Sequence, residues 1–422
     1  MMGWVEVMQE KLELRNTISY VGNKSLPLLR LFRYKEAFSL AFVQHMIKEL
    51  KLTDSDLILD PFCGMGTTLM ASGFSSITSI GIDKSPLAVF ISNTLPLLLA
   101  TEPHYIRETY QQLISRLEKQ PLAPIAEDVP IIKIAFPPDI LTTLHKLKSG
   151  IDNLDTPIRD VMTLLFLSIL EGCSYTSKDG QFLRLNRRKN ILDPIKSLEN
   201  KVYETENDIY LVEQLGWRRN WRAPLVMQGD ARQMSQYLLH ISPTAIITSP
   251  PYANRYDYTR SYSIELCFGF VRNYEELKAL RADMIRSHIE VSVNPDEHPS
   301  HYVVQEIIKS LEQRCSNLNN PRIPIMLKGY FIDMELVIKE FARILAPNSH
   351  VVMVVGNVRY DGETIPVDTI LCDIAESVGF NVKAIWIARY KGNSSQQMKK
   401  YGRMPVRESV LIWQKKDIKK LT

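Results

Sequence analysis

Short apolar runs alternate with helical patterns through the first hundred residues. Residues 35–50 carry apolar side chains at helical spacing, which predicts a helix. The apolar run 57–59 predicts a buried strand, followed by a glycine-containing turn and a helix that starts near 69. A second strand is predicted over 77–82, ending at Asp83, and another helix begins near Ser85. The pattern predicts parallel strands joined by helices.

The last two hundred residues repeat this alternation with one difference. Predicted strands cover 224–228, 244–248, 351–355, 382–388 and 408–413, and predicted helices cover 335–345 and 368–378. No helical pattern separates the last two strands, so they can pair antiparallel. We therefore expect an α/β fold with a doubly wound sheet whose last strand is antiparallel.

Two stretches interrupt this pattern. Residues 100–222 carry helical patterns at 104–119, 138–154, 157–173 and 207–216, and none of them reads as a strand of the main sheet. Residues 275–328 form a second, irregular stretch. The predicted organisation is a 1–99 segment with the first turn, a largely helical insertion at 100–222, and a 223–422 segment that contains the irregular insertion.

Composition excludes several classes of protein. The 422 residues are 45% hydrophobic and 23% charged, with a net charge of +4 and a pI near 8.6, which permits a nucleic-acid partner. Five scattered cysteines without a C-x-x-C pair indicate a reducing compartment and no zinc site. The acidic N-terminal stretch is not a signal peptide, and no apolar run approaches the roughly 18 residues that span a bilayer. We expect a cytoplasmic protein without a membrane partner.

Candidate chemistry lies at three strand ends. Gly64 and Gly66, in the turn after the first strand, let the backbone approach a ligand closely, although the turn lacks the full G-x-G-x-x-G pattern. Asp83 can accept hydrogen bonds from both hydroxyls of a ribose, or it can simply cap the next helix. A Ser-Pro-Pro-Tyr turn, 249–252, follows the strand at 244–248.

Two of these segments carry a family resemblance. Residues 60–68 match the motif D-P-F-x-G-x-G-T-T, with Met65 where the family commonly has serine, and residues 249–252 match [DNS]-P-P-[YFW]. The chain therefore resembles the S-adenosylmethionine-dependent amino-methyltransferases that act on DNA bases. Serine in the first position of the second motif is typical of the cytosine-N4 branch. In many enzymes of that branch the two motifs occur in the reverse order.

The resemblance implies the fold, the cofactor and the site residues. The fold is the Rossmann-like methyltransferase version of the doubly wound sheet, and the cofactor is S-adenosyl-L-methionine. Asp230 is expected beside the adenine, or alternatively as a turn residue that caps the next helix. The implied cofactor-binding residues are Phe32, Asp60, Pro61, Phe62, Cys63, Gly64, Gly66, Thr67, Thr68, Asp83, Lys84, Asp230, Ala231 and Ser249. The implied catalytic residues are Ser249, Pro250, Pro251 and Tyr252.

The catalytic turn suits methylation of an exocyclic amine. Such an amine is a poor nucleophile because its lone pair is delocalised into the ring. The oxygen of Ser249 and the carbonyl of Pro250 can accept hydrogen bonds from the two N–H groups of the amine, while Tyr252 stacks on the ring of the base. The base must first be flipped out of the duplex.

Double-stranded DNA is the expected partner, and three segments supply the candidate contacts. One is the basic run 184–189, another is the tyrosine-rich loop after the catalytic turn, where Asp257 also shapes the pocket, and the third is the basic segment 389–407. An ordinary tyrosine-rich loop and a solvated charge run remain the alternatives for the last two. The candidate DNA-binding residues are Arg184, Arg187, Arg188, Lys189, Arg255, Tyr258, Arg260, Lys391, Lys399, Lys400 and Arg403.

The leading hypothesis is a site-specific cytosine-N4 methyltransferase of a restriction–modification system. A cognate restriction endonuclease is then a partner, the enzyme acts as a monomer or dimer, and the 100–222 insertion is the first candidate for reading the target sequence. The turn has no Pro-Cys dipeptide, which argues against cytosine-C5 chemistry, and Cys63 is expected to be a packing residue. The alternatives are adenine-N6 methylation, guanine-N2 methylation of transfer RNA, and a non-catalytic DNA-binding subunit. No metal site is expected.

Overall fold

The computed structural model describes residues 4–35, 38–179, 182–392, 402 and 404–417. Within these residues no helix combines the length and the apolar character needed to cross a bilayer. The strands are β1 Met8–Glu10, β2 Leu57–Asp60, β3 Thr78–Asp83, β4 Thr176–Asp179, β5 Phe182–Leu185, β6 Leu225–Gln228, β7 Ala245–Thr248, β8 His350–Gly356, β9 Val358–Tyr360, β10 Glu363–Ile365, β11 Phe380–Lys391 and β12 Val406–Lys415.

Eight of these strands form the central sheet, in the order β1-β11-β12-β8-β7-β2-β3-β6. β12 pairs antiparallel with β11 on one side and with β8 on the other, whereas the remaining pairs are parallel. The predicted doubly wound α/β sheet with an antiparallel last strand is therefore confirmed. The register pairs Glu408 of β12 with Gly356 of β8.

Helices cover both faces of the sheet. They are α1 Leu40–Glu49, α2 Thr67–Phe74, α3 Pro86–Leu97, α4 Pro103–Ser115, α5 Ile132–Ala135, α6 Pro138–Asp152, α7 Ile158–Ile169, α8 Pro194–Gln214, α9 Tyr258–Ser261, α10 Ser263–Gly269, α11 Tyr274–Asp283, α12 Tyr302–Gln313, α13 Ile323–Ile344 and α14 Val367–Ser377. Because side chains alternate along a strand, Ile58 and Leu59 pack into different cores on the two faces.

The helical segment 100–222 packs on one of these faces. Buried side chains of α4, α6, α7 and α8 join the core that also lies under α1 and α3. α12, α13 and α14 cover the opposite face. The segment also contains the antiparallel hairpin β4–β5, which packs against α9 and which the periodicity did not predict.

The stretch 275–328 is more regular than the sequence predicts. Helix α12 lies within it, and its buried Val304, Ile307, Ile308 and Leu311 follow the i, i+3, i+4, i+7 spacing of an amphipathic helix. Helix α13 begins at Ile323, twelve residues before the predicted start. Proline in its first turn is compatible with this start because the N–H that proline lacks has no partner inside the helix there.

Candidate functional site

Two neighbouring cavities open where the parallel strands end. The first measures about 940 Å³, including its open mouth, and is lined by the turns after β2, β3, β6 and β7. The second measures about 540 Å³ and lies beside the catalytic turn and the ends of β11 and β12. Ser249, Tyr256 and Tyr258 line both cavities. A ligand in the first cavity and one in the second would therefore meet at Ser249.

Asp60 ties the turn after β2 to the neighbouring strand. Its carboxylate accepts hydrogen bonds from the hydroxyls of Thr68 at 2.6 Å and Thr248 at 2.7 Å, and from the backbone N–H of Phe62 at 3.1 Å. Burial raises the pKa of Asp60 to about 6, and these hydrogen bonds limit the rise. The carboxylate thus holds the beginning of α2 and the end of β7 in a fixed relation.

The glycines of this turn occupy conformations that side chains rarely adopt. Gly64 has φ +53° and Gly66 has φ +86°. A Cβ on Gly66 would lie 2.9 Å from the Cβ of Ser92, and one on Gly64 would lie 3.1 Å from the ring of Tyr34. The turn therefore requires glycine at both positions, and its backbone borders the first cavity at Gly64.

Asp83 lies at the end of β3, on the wall of the first cavity. Its two oxygens accept the backbone N–H groups of Gly64 at 2.9 Å and Ser85 at 2.8 Å, while the side chain of Ser85 caps α3. Burial raises the pKa of Asp83 to about 6 against these hydrogen bonds. Each carboxylate oxygen has a second lone pair, so Asp83 can still accept hydrogen bonds from two hydroxyl groups of a ligand.

Asp230 lies opposite, in a network of charges. Arg232 donates to it from Nε at 2.9 Å and from Nη2 at 2.7 Å, and Lys84 donates at 3.2 Å. Burial alone would raise the pKa of Asp230, but the hydrogen bonds and charges of Arg232 and Lys84 lower it overall. Asp230 also caps the short helix Ala231–Gln236, as the alternative interpretation expects, and it lines the cavity as well.

The Ser-Pro-Pro-Tyr turn, 249–252, is anchored to the central strands. The hydroxyl of Ser249 donates to the carbonyl of Val354 at 3.2 Å, and the phenol of Tyr252 donates to Glu408 Oε1 at 2.8 Å. A Cβ on Gly356 would lie 3.0 Å from two carbons of the Tyr252 ring, so this strand position admits the ring only because it is glycine. Pro250 lines the second cavity and Pro251 the first.

A column of aromatic rings supports the wall that the two cavities share. The ring of Tyr34 stacks on Tyr262 at 4.9 Å and on Tyr258 at 6.2 Å between centroids. Behind them, Lys178 of the β4–β5 hairpin lies 4.6 Å from the Tyr262 ring and forms a buried ion pair with Glu265. The hairpin is thus linked through stacked rings to the turn after β2.

Eleven predicted cofactor residues line the first cavity: Asp60, Pro61, Phe62, Cys63, Gly64, Thr67, Asp83, Lys84, Asp230, Ala231 and Ser249. Gly66 and Thr68 do not line it. Gly66 packs against Ser92, and Thr68 donates a hydrogen bond to Asp60. Phe32 does not line this cavity, because it is buried behind Tyr262, 6.4 Å between ring centroids. Tyr34 and Phe38, from the same part of the chain, line the cavity.

The predicted DNA-binding residues lie in different surroundings. Arg184, Arg187 and Arg188 are exposed at the β4–β5 hairpin, and Arg260 is exposed on α9. Lys189 instead donates to two backbone carbonyls at the base of the hairpin, those of Glu171 and Thr176.

The other predicted contacts lie at the cavities or beyond the described residues. Tyr258 lines both cavities. Arg255 is half-buried and has a φ angle of +72°. Lys391 lines the second cavity, where it pairs with Glu408 at 2.9 Å. Lys399, Lys400 and Arg403 lie outside the residues that the structure describes.

Several residues around the two cavities carry no local signal in the sequence. Glu408 and Gly356 come from distant strands, and only the strand register brings them to Tyr252. His288 lines the first cavity, and burial lowers its pKa, which favours the neutral imidazole. Asp257, which the sequence did single out, accepts a hydrogen bond from Thr259 at 2.7 Å and pairs with Arg281 at 3.0 Å.

Comparisons with known proteins agree with this geometry. A family model described as DNA methylase, for N6 and N4 methyltransferases, matches residues 5–93. The chain is 34% identical over 442 residues to the type II methyltransferase M.AvaI of Nostoc sp. (strain PCC 7120), covering 95% of this chain and 89% of that protein. It is 31% identical over 453 residues to the type II methyltransferase M.BsoBI of Geobacillus stearothermophilus, covering 95% and 88%. Among solved structures, the rRNA methyltransferase aviRa of Streptomyces viridochromogenes matches with 11% identity and a TM-score of 0.32 over 96% of this chain and 94% of that one, too distant a likeness to indicate function.

Proposed function

Because the chain belongs to the type II DNA amino-methyltransferases, we propose that it methylates the exocyclic N4 of a flipped cytosine. Members of this family take S-adenosylmethionine as cofactor and DNA as substrate. The observation that carries the cytosine proposal is Ser249, the first residue of a Ser-Pro-Pro-Tyr turn at the junction of the two cavities. Serine at this position is typical of the cytosine-N4 branch.

The first cavity fits the cofactor by its donors and acceptors. Asp83 offers two carboxylate oxygens for the ribose hydroxyls, and Gly64 lets the backbone come close to the ligand. Apolar side chains such as Phe62 and Ile285 supply the walls that an adenine ring requires. When bound, the cofactor supplies an electrophilic methyl group on a sulfonium.

The second cavity is the proposed site of the target base. The hydroxyl proton of Ser249 is directed to the carbonyl of Val354, so the lone pairs of the serine oxygen remain available to an amino group. The Pro250 carbonyl accepts a hydrogen bond from the second N–H of the amino group, and proline offers no competing N–H. These two hydrogen bonds localise the nitrogen lone pair, and the ring of Tyr252 holds the base in plane. Such positioning is worth roughly 7–11 kcal/mol of a reaction barrier.

We assign target recognition to the 100–222 segment. Arg184 is exposed on β5, and Arg187 and Arg188 are exposed just after this strand. The β4–β5 hairpin packs against α9, which begins shortly after the Ser-Pro-Pro-Tyr turn. Exposed arginines on a strand and in the turn that follows it suit contacts with phosphates and base edges. The type II relatives support a role in restriction–modification, with an endonuclease that cuts the same sequence as the expected partner.

Mass spectrometry of nucleosides tests the proposed base. The protein is incubated with S-adenosylmethionine and unmethylated genomic DNA, which is then digested and analysed. N4-methylcytosine is the expected product, and the Ser249→Ala variant prepared in parallel is the control for contaminating activity. N6-methyladenine would retain the mechanism and overturn the cytosine assignment. Neither product, from a protein that binds the cofactor, would overturn both.

A further inference from the structure

The ring of Tyr252 is held from several directions by the antiparallel part of the sheet. Its phenol donates to Glu408 Oε1 at 2.8 Å, its Cδ2 and Cε2 atoms lie against Gly356, and the ammonium of Lys391 lies 5.5 Å from its centroid. We propose that Glu408 is a positioning residue for methyl transfer, which fixes the plane of the Tyr252 ring against which the target base stacks. This inference rests on the proposed function of the second cavity.

Glu408 is built into the sheet as a buried anion. Only 2% of the residue is exposed, and its carboxylate is shared among several donors. Oε1 accepts from Tyr252 and from Lys391 Nζ at 2.9 Å, and Oε2 pairs with Nε of Arg389. A buried carboxylate is costly unless it is paired and hydrogen-bonded, and the two cations from β11 meet that need. Glu408 therefore offers Tyr252 an acceptor whose position is fixed from two other sides.

The pairing of β12 with β8 explains why Glu408 and Gly356 act together. The two residues are directly opposite in the antiparallel register, so their Cα substituents project to the same face of the sheet. The strand position with a long side chain anchors the hydroxyl, and the position without a side chain leaves room for the ring. A carboxylate elsewhere on β12 would face the other side of the sheet or lie too far along the strand.

This arrangement changes the meaning of the basic residues in β11. In the sequence, Arg389 and Lys391 begin a run that resembles a contact surface for phosphates. In the structure both residues form ion pairs with Glu408. The ammonium of Lys391 also lies over the ring of Tyr252 as a cation–π contact. Their main contribution is therefore to hold Glu408, and through it Tyr252.

A double-mutant cycle tests this role. The variants are Tyr252→Phe, Glu408→Ala, the combination of both, and Glu408→Gln, which keeps an acceptor oxygen for the phenol. The single-turnover rate of methyl transfer should fall roughly 10- to 100-fold in Tyr252→Phe and in Glu408→Ala, because each removes one hydrogen bond to a charged group. The double variant should be no slower than the slower single variant, and Glu408→Gln should recover most of the rate.

Two further measurements separate positioning from general stability. The cofactor dissociation constant should stay unchanged in all variants, since neither residue lines the first cavity. With 2-aminopurine at the target position, stacking of the flipped base on the fixed ring of Tyr252 should quench its fluorescence. This quenching should be weaker in Tyr252→Phe and Glu408→Ala. Tyr390→Phe is the matched control. Tyr390 lies between Arg389 and Lys391 in β11, and this substitution removes its hydrogen bond to Glu10.

Three results would overturn the inference. One is a wild-type rate in Tyr252→Phe, which keeps the ion pairs of Glu408 and so folds even where Glu408→Ala does not. Another is additive losses in the cycle, and the third is an equal loss of rate in Tyr390→Phe. Each of these requires a wild-type protein that methylates DNA, whereas a wild-type protein that methylates no base refutes the proposed function instead.

Discussion

Replacing Gly356 with alanine should slow methyl transfer without weakening cofactor binding. The new Cβ would lie 3.0 Å from Cδ2 and Cε2 of the Tyr252 ring. Carbon atoms in ordinary contact are about 3.5–4.0 Å apart, so the ring must move by roughly 0.5–1 Å. Gly356 is not in a left-handed conformation, so the backbone itself accepts alanine.

The size of the effect follows from the displacement of the ring. Misplacing a reacting group by about 1 Å can cost roughly 100-fold in rate, so we expect a loss of about 10- to 100-fold in the single-turnover rate. The overpacking should lower the free energy of unfolding by about 1–3 kcal/mol. The dissociation constant of the cofactor should not change, because neither Gly356 nor Tyr252 lines the first cavity.

The assay measures transfer of labelled methyl groups to DNA under single-turnover conditions, with cofactor binding followed by calorimetry. Gly269→Ala is the matched control, because a Cβ there meets Leu167 at 3.8 Å, an ordinary contact. A wild-type rate in Gly356→Ala would refute the claim that the ring of Tyr252 must stay in place. A parallel loss of cofactor affinity would refute the assignment of the two cavities.

Three further substitutions test the remaining parts of the site. Ser249→Ala should lower the rate of methyl transfer by roughly 100-fold and leave cofactor affinity, measured by calorimetry, nearly intact. Equal losses of rate and affinity would contradict the role of Ser249 in binding the amino group. Asp83→Ala removes about two hydrogen bonds to the ribose and should raise the cofactor dissociation constant about 100-fold. Burial raises the pKa of Asp83 to about 6, and the ionised form accepts the hydroxyls, so the affinity of the wild-type protein for the cofactor should reach its full value well above pH 6 and fall as the pH drops through 6. Calorimetry of Asp83→Ala should show a shallower dependence on pH. Lys178→Met should lower the free energy of unfolding in urea by about 3–5 kcal/mol because it leaves Glu265 buried without its partner, and an additional Glu265→Gln should recover part of that loss.

Much of the lining of the first cavity was predictable because it is local in sequence. Residues 60–68 form one contiguous strand–turn–helix, so the side chains that line the first cavity there are set by neighbours in the chain. Asp83 and Asp230, which also line this cavity, could be singled out for the same reason, each at the end of an apolar strand. Phe32 does not line the cavity because several aromatic residues lie close together there, and packing against Tyr262 decides which of them face it.

The base side of the site was not predictable from local patterns. Glu408 lies 156 residues from Tyr252, and its contact depends on the register of an antiparallel strand inserted between two others. The sequence indicated that such a strand exists, but not which of its residues faces the turn. Gly356 likewise reads as an ordinary glycine at a strand end until the ring of Tyr252 is seen against it.

The central claim is that the first cavity holds the cofactor, the second holds the flipped base, and the two meet at Ser249. A crystal structure with the non-transferable analogue sinefungin and a duplex carrying the mapped target site tests it most directly. We expect a cytosine stacked on Tyr252, with its amino nitrogen within hydrogen-bonding distance of the Ser249 oxygen and the Pro250 carbonyl. A base bound elsewhere, or an analogue outside the cavity bordered by Asp83, would contradict it.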